Sequence, residues 1–213
     1  MSLQANNFQQ ALPETQPGHT SPAKNTLRQT LRHARRALTR QQQKQASLGL
    51  SRQLSTLSAF QRSRRVAAYI PNDGEIDPQP LLELAWRLGK QVYLPVLHPF
   101  EPGQLLFMEY QPGQPLAKNR FGIPEPVCDQ DSRCPTWMLD LVLTPLVGFD
   151  EAGHRMGMGG GFYDRSFAFL KTGLRPRQPT LIGVAHECQK VDALPCEPWD
   201  IPMQHVITDQ RSY

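Results

Sequence analysis

The chain has 213 residues, of which 39% are hydrophobic and 20% charged, a size and balance suited to one soluble domain with a continuous core. It carries 23 Lys and Arg against 19 Asp and Glu, a formal net charge of +4. No apolar run approaches the roughly 20 residues that span a bilayer, and the N-terminus lacks the basic-then-apolar pattern of an export signal. The expected location is therefore the cytoplasm, with no membrane partner. Cys128, Cys134, Cys188 and Cys196 show no C-x-x-C spacing and no His at zinc-finger distance, so free thiols are expected.

Residues 1–22 are rich in Gln, Asn, Pro, Thr and Ser. They cannot bury enough apolar surface to offset ordering, and a flexible tail is expected there, with the folded domain at 23–213. From Lys24 the pattern turns helical. Leu27, Leu31, Ala34 and Leu38 recur at three- and four-residue spacing, which predicts an amphipathic helix with a basic outer face. Thr39 is the expected N-cap of a second helix, whose apolar stripe is Ala46, Leu50, Leu54 and Leu57. Every charged residue from Lys24 to Arg65 is Lys or Arg, a stripe that suits phosphate if it is more than a solvated face.

Arg65 to Ile70 reads as a buried strand ended by Pro71, and the turn Asn72-Asp73-Gly74 follows. A helix over Pro78 to Leu88, closed by Gly89, leads into a strand from Gln91 to Pro95. Further strands are expected at Leu105 to Tyr110, Leu139 to Thr144, Thr180 to Ala185 and His205 to Thr208, with a helix from Phe162 to Leu170. Strands alternating with helices predict an α/β fold: a single three-layer αβα domain, a mainly parallel sheet with helices on both faces, and basic helices at the N-terminus. In such sheets ligands gather beyond the C-terminal strand ends, here the loops after Ile70 and Thr144.

The second of those loops carries the chemistry. Gly157, Gly159, Gly160 and Gly161 allow the backbone to turn tightly and approach a ligand. With a helix opening at Phe162, backbone N–H groups and the helix dipole make an anion site. Arg155 and Arg165 flank the loop as phosphate clamps, and Asp164 offers a hard carboxylate for Mg²⁺. The segment is neither a P-loop, since Phe-Tyr-Asp follows the glycines, nor a G-x-G-x-x-G fingerprint, since Phe162 stands at the last glycine position.

Gly148-Phe-Asp150-x-x-Gly153-x-Arg155-x-Gly157-x-Gly159-x-Gly161-x-Tyr163-Asp164-Arg165 resembles the hallmark of the 5-formyltetrahydrofolate cyclo-ligase family. Lys24 with Arg28, the stretch Tyr69 to Asp77, the loop Phe121 to Pro126 and the closing Trp199-Asp200-Ile201-Pro202 are similar to further family segments in the same order. The resemblance runs from about Lys24 to Thr208. Met156, Met158 and Phe162 depart from it by apolar exchange only, which alters pocket shape more than chemistry.

This resemblance implies an ATP- and Mg²⁺-dependent enzyme that converts the reduced folate 5-formyltetrahydrofolate to 5,10-methenyltetrahydrofolate through a phosphorylated formyl group. Lys24 and Arg28 are then assigned to ATP phosphates, and Arg155 to the transferring phosphoryl group. Gly157 to Gly161, with Met156, Met158, Phe162 and Tyr163, form the nucleotide cradle, and Tyr163 also joins Arg155 at the reaction centre, stacking on the base or the pterin or hydrogen-bonding through its hydroxyl. Ile70 and either Glu75 or Asp77 contact the pterin. Asp164, with Asp200 as the weaker candidate, is assigned to the metal. Trp86 and Trp137 are expected in the core and His154 at the surface. A monomer without a nucleic-acid partner is expected; the alternatives are a nucleotide-binding paralogue with another substrate and a nucleic-acid binder using the basic helices, which lack interleaved aromatics apart from Phe60.

Overall fold

The structure, a computed structural model, describes residues 22–127, 131–173, 178–194 and 197–213. The tail expected at 1–22 lies outside these residues except at its last position, and so do Cys128 and Cys196. Pro22 already belongs to the first helix, α1 (Pro22–Arg36), because a helix's first turn has no use for the N–H that proline lacks. Then comes α2 (Arg40–Thr56), capped as expected: Thr39 Oγ1 accepts from Gln42 N at 3.3 Å and Gln42 Oε1 accepts from Thr39 N at 2.8 Å. A one-turn helix, α3 (Ser58–Arg62), has no counterpart in the sequence reading; Leu57, extended, ends one helix and begins the next.

Strand β1 (Arg65–Ala67) is shorter than expected. The helix α4 (Gln79–Arg87) and strand β2 (Gln91–Leu97) succeed it. Pro95 does not stop β2. Val92 O accepts from Tyr110 N on one side, and Tyr93 O accepts from Ala68 N on the other. By alternation the N of Pro95 faces beyond the end of β1, where no ladder partner is due. The chain continues as β3 (Leu105–Glu109), the hairpin β4 (Leu116–Lys118) and β5 (Pro124–Pro126), and β6 (Arg133–Cys134).

A 3₁₀ turn at Thr136–Met138 delays the next strand, β7 (Leu141–Pro145), so Leu139 is buried ahead of it. The hairpin β8 (Gly148–Phe149) and β9 (Arg155–Met156) precedes α5 (Phe162–Ser166). The helix expected to Leu170 breaks at Phe167 and resumes as a 3₁₀ segment, Ala168–Thr172. Strands β10 (Thr180–Val184) and β11 (His205–Ile207) complete the sheet.

Seven strands form the sheet in the order β11-β10-β7-β1-β2-β3-β6. The pairs from β11 to β2 are parallel, and β3 and β6 add antiparallel pairs at one edge. Successive residues of β7 divide between the faces. Leu141 and Leu143 pack under Ala46, Leu50 and Leu54 of α2 and Leu81 of α4, while Val142 packs with Phe167 and Phe107 on the other side. The three layers and the mainly parallel sheet agree with the expectation, although the second helical layer is thin.

Helix α1 belongs to neither face. Its Leu31 packs with Val147, Met156 and Leu194, just past the C-terminal ends of β7 and β10. That placement lays a basic helix across the edge where ligands are expected. No helix of the described residues is long and apolar enough to cross a membrane.

Candidate active site

The glycine loop starts from a braced hairpin. The buried Asp150 carboxylate accepts from His154 N and Leu194 N at 2.9 and 2.8 Å and faces the His154 ring at 2.9 Å. Burial alone would raise its pKa, but the hydrogen bonds from Leu194 and His154 outweigh that and hold it below the usual carboxylate range. From β9 the two side chains part. Met156 enters the core beside Leu31, so its side chain is not available to a nucleotide as the sequence reading had it. Arg155, whose side chain is only 7% exposed, turns to the site.

Gly159 and Gly161 hold φ of 91° and 62°, values that side chains disfavour. A Cβ at Gly157 would meet nothing within 4 Å, and one at Gly159 would lie 3.6 Å from Arg28 Nη2. The loop therefore leaves its backbone open at Gly157 and Gly159, facing a guanidinium, while Gly160 and Gly161 are closed over by Phe162 and Arg165. Met158 is exposed beside it. Phe162 opens α5 and meets Phe121 edge-on at 5.9 Å.

Helix α1 brings its cations to this loop. Arg28 Nε donates to Gly157 O at 2.9 Å, and Lys24 pairs with Glu197. Arg165 does something other than the phosphate clamping expected of it: Nε donates to Gly103 O at 3.0 Å and Nη2 to Gly160 O. It latches the glycine loop to the β2–β3 connection. Arg155 is also anchored, through Nε to Ile201 O at 3.0 Å and Nη2 to Asp164 Oδ1. Its Nη1 edge has no protein partner among the described residues and remains for a ligand.

The two carboxylates assigned to metal are partly engaged. Asp164 uses one oxygen, Oδ1, for both Arg155 and Ile201 N. Asp200 Oδ2 accepts from Glu197 N at 2.9 Å and so closes its own turn. Among the described residues no group of three or more His, Cys, Asp or Glu is placed to hold a metal ion. Mg²⁺ needs no such group when phosphates supply most ligands, and each carboxylate keeps one oxygen without a protein partner among the described residues.

Past the end of β1, the half-buried Ile70 precedes a loop that carries two partly buried carboxylates. Asp77 Oδ1 accepts from Gln79 N at 2.9 Å and serves the start of α4. Glu75 Oε2 accepts from Asn72 N at 3.1 Å, and its Oε1 lies 3.7 Å from Arg35 Nη2. Burial raises the pKa of both. Tyr163 stacks on Phe167, with centroids 6.4 Å apart and planes 13° apart. Burial, then the nearby Glu75 charge, raise its hydroxyl pKa, while Arg155 lowers it. Tyr69 is raised in the same way by burial and then by Glu75. Glu75, Tyr163 and Arg155 therefore share one electrostatic neighbourhood; Asp77 acts on Tyr69 alone of these groups.

Sequence reasoning missed Arg35, Glu197 and Ile201. Arg35 lies seven residues after Arg28, on the same helical face, and that spacing was the available signal. The expected basic outer face of α1 is corrected accordingly: Arg35 is fully buried and Arg28 partly so. A cavity of about 260 Å³ between Leu97, Gly103, Arg120, Glu125 and Phe162 adjoins the loop and was also unforeseen.

The open backbone face at Gly157 and Gly159, the basic side chains of an edge-lying helix and the partly buried Glu75 together form an α/β arrangement suited to an anion. Residues 20–209 match the model of the 5-formyltetrahydrofolate cyclo-ligase family, and the chain belongs to that family of ligases. It is 46% identical over 184 residues to the 5-formyltetrahydrofolate cyclo-ligase of Escherichia coli strain K12, covering 85% of this chain and 97% of that one. The Haemophilus influenzae enzyme of the same name is 39% identical over 181 residues, covering 85% and 95%. Among solved structures, the NMR structure of Aquifex aeolicus 5,10-methenyltetrahydrofolate synthetase superposes with a TM-score of 0.73 at 31% identity, covering 89% of this chain and 91% of that one.

Proposed function

We propose that this chain, acting as one domain over 23–213, converts 5-formyltetrahydrofolate to 5,10-methenyltetrahydrofolate with consumption of ATP. The observation that carries the reading is the open backbone face at Gly157 and Gly159 opposite Arg28, with the partly buried Glu75 in the loop that follows the end of β1. The first suits phosphate, the second a heterocycle rich in N–H donors.

In this reading the formyl oxygen attacks the γ-phosphorus; an O–P bond forms and the bond to ADP breaks. N10 then attacks the formyl carbon, the C–O bond breaks, and phosphate leaves while N10 gives up its proton. The protein's part is positioning and charge neutralisation. Arg28 and Lys24 meet the phosphate chain, with Glu197 as the carboxylate Lys24 exchanges for it. The backbone from Gly157 to Gly161, bordered by Met158 and Phe162, cradles the anion. The Nη1 edge of Arg155 meets the transferring group, and Tyr163 closes the wall beside it. Glu75 accepts the pterin's N–H donors against Ile70, with Asp77 shaping the loop. Asp164 and Asp200 would hold Mg²⁺, which supplies further neutralisation of phosphate charge.

The same reading makes the enzyme a cytoplasmic monomer without a nucleic-acid partner. Consistent with it, Arg32, Arg35 and Arg36 all turn to Asp73 instead of forming an outward phosphate-tracking row. The test is the near-ultraviolet absorbance of the methenyl product when protein, 5-formyltetrahydrofolate, Mg²⁺ and ATP are mixed, with an ATP-omitted control. An ATP-dependent rise is expected. A flat trace from folded protein that still binds ATP would point to a paralogue with another substrate.

A further inference from the structure

Arg35 is the one fully buried guanidinium among the described residues. Its Nε donates to Asp73 O at 2.8 Å, its Nη2 to Asp73 Oδ2 at 2.9 Å and its Nη1 to Leu146 O at 3.2 Å. Burying a guanidinium is expensive, and an apolar residue of similar volume usually serves stability as well or better. Here every edge is aimed. Asp73 is the only non-glycine described residue with positive φ, at 55°, so the loop it begins is held in a sparsely populated shape by the groups around it. Two residues on is Glu75, whose Oε1 lies 3.7 Å from Arg35 Nη2.

We propose that Arg35 is a positioning residue for the folate site: it fixes the 73–75 loop and holds the Glu75 carboxylate, as an anion, aimed at the pterin's N–H donors. This rests on the reading of Glu75 given above. Arg35 also lies on the face of α1 that carries Arg28, so one rigid helix sets the nucleotide loop and the pterin carboxylate at a fixed separation.

The charged and titratable groups facing Glu75 are few. Arg35 comes from α1, Tyr69 from the segment that follows β1 and Tyr163 from α5, and burial keeps both tyrosines neutral. Arg32 and Arg36 meet Asp73. Burial drives the Glu75 carboxyl upward, and the Arg35 charge, followed by the Asn72 N–H, opposes it. Loss of the Arg35 charge therefore protonates Glu75 at a higher pH, whereas loss of the Asp73 charge leaves Arg35 less neutralised and has the opposite effect.

The experiment is the pH dependence of kcat/KM for 5-formyltetrahydrofolate on its acid side, in the parent enzyme, Arg35→Gln, Asp73→Asn and Glu75→Gln. Arg35→Gln is expected to move the acid limb to higher pH and to raise the folate KM about tenfold, the factor that goes with one lost charge-assisted hydrogen bond, with a smaller change in the KM for ATP. Asp73→Asn keeps a residue that tolerates the left-handed conformation and keeps an oxygen acceptor and the main-chain carbonyl for Arg35, and it moves the limb to lower pH. An acid limb that stays in place in Asp73→Asn, or in a folded Arg35→Gln enzyme, overturns the inference. A Glu75→Gln enzyme with unchanged folate KM and an unchanged limb would instead overturn the reading of Glu75 itself.

Discussion

Replacing Arg155 by alanine separates structure from chemistry most sharply. The Arg155 and Asp164 side chains are 7% and 19% exposed, so the substitution strands a largely buried carboxylate that keeps, among the described residues, only the Ile201 N–H at 3.1 Å. Removing one partner of such a pair destabilises by about 3 kcal/mol, which for a chain of this size lowers Tm by roughly 6–12 °C. A second substitution, Asp164→Asn, removes the stranded charge and should recover part of that loss. The catalytic deficit should not recover with it. A guanidinium at a transferring phosphoryl group contributes on the order of 10³-fold to turnover, about 4 kcal/mol. The assay is steady-state kcat and both KM values for Arg155→Ala with and without Asp164→Asn, alongside thermal melts. If Arg155→Ala turns over within tenfold of the parent enzyme, Arg155 does not meet the transferring group.

Gly161→Ala places a Cβ at φ 62°, 2.8 Å from Arg165 Nη1; the left-handed strain of about 1–2 kcal/mol and the disturbed latch should raise the KM for ATP more than that for folate. Thr39→Ala removes the capping box of α2, remote from the site, so a loss of about 1 kcal/mol should appear in melts without any change in kinetics. His186 is buried, and burial lowers its pKa from 6.5 to about 4. The unfolded chain then binds the proton first as pH falls, so stability should drop by roughly 3 kcal/mol between about pH 6.5 and 4. Denaturant titrations of the parent and of His186→Asn across that window should differ in slope.

What the sequence made legible follows from local rules. Thr39 with Gln42 announced a cap, and the apolar runs at Val142 and Ile182 announced buried parallel strands, because such strands need apolar residues toward both faces. The glycine loop was legible for a related reason, since few other uses require so many positions free of Cβ. The antiparallel edge of β3 and β6 was not, since strand direction is set by connections and pairing outside any local window. Arg35 escaped because composition places arginine outside, and only the three-dimensional arrival of Asp73 and Leu146 O makes its burial tolerable. The Arg155–Asp164 pair was equally hidden: the two residues were read as separate ligands of phosphate and metal, and the turn between them joins them.

The most direct test of the cyclo-ligase activity is the ATP-dependent appearance of the methenyl chromophore from 5-formyltetrahydrofolate, measured for the parent enzyme and Arg28→Ala side by side. Arg28 Nε holds Gly157 O at 2.9 Å beside the open face of the loop. ATP-dependent product formation is expected from the parent, and in Arg28→Ala a KM for ATP raised about tenfold or more with the folate KM little changed. Product formation that needs no ATP, or none at all from folded protein with both substrates and Mg²⁺ present, would contradict that activity.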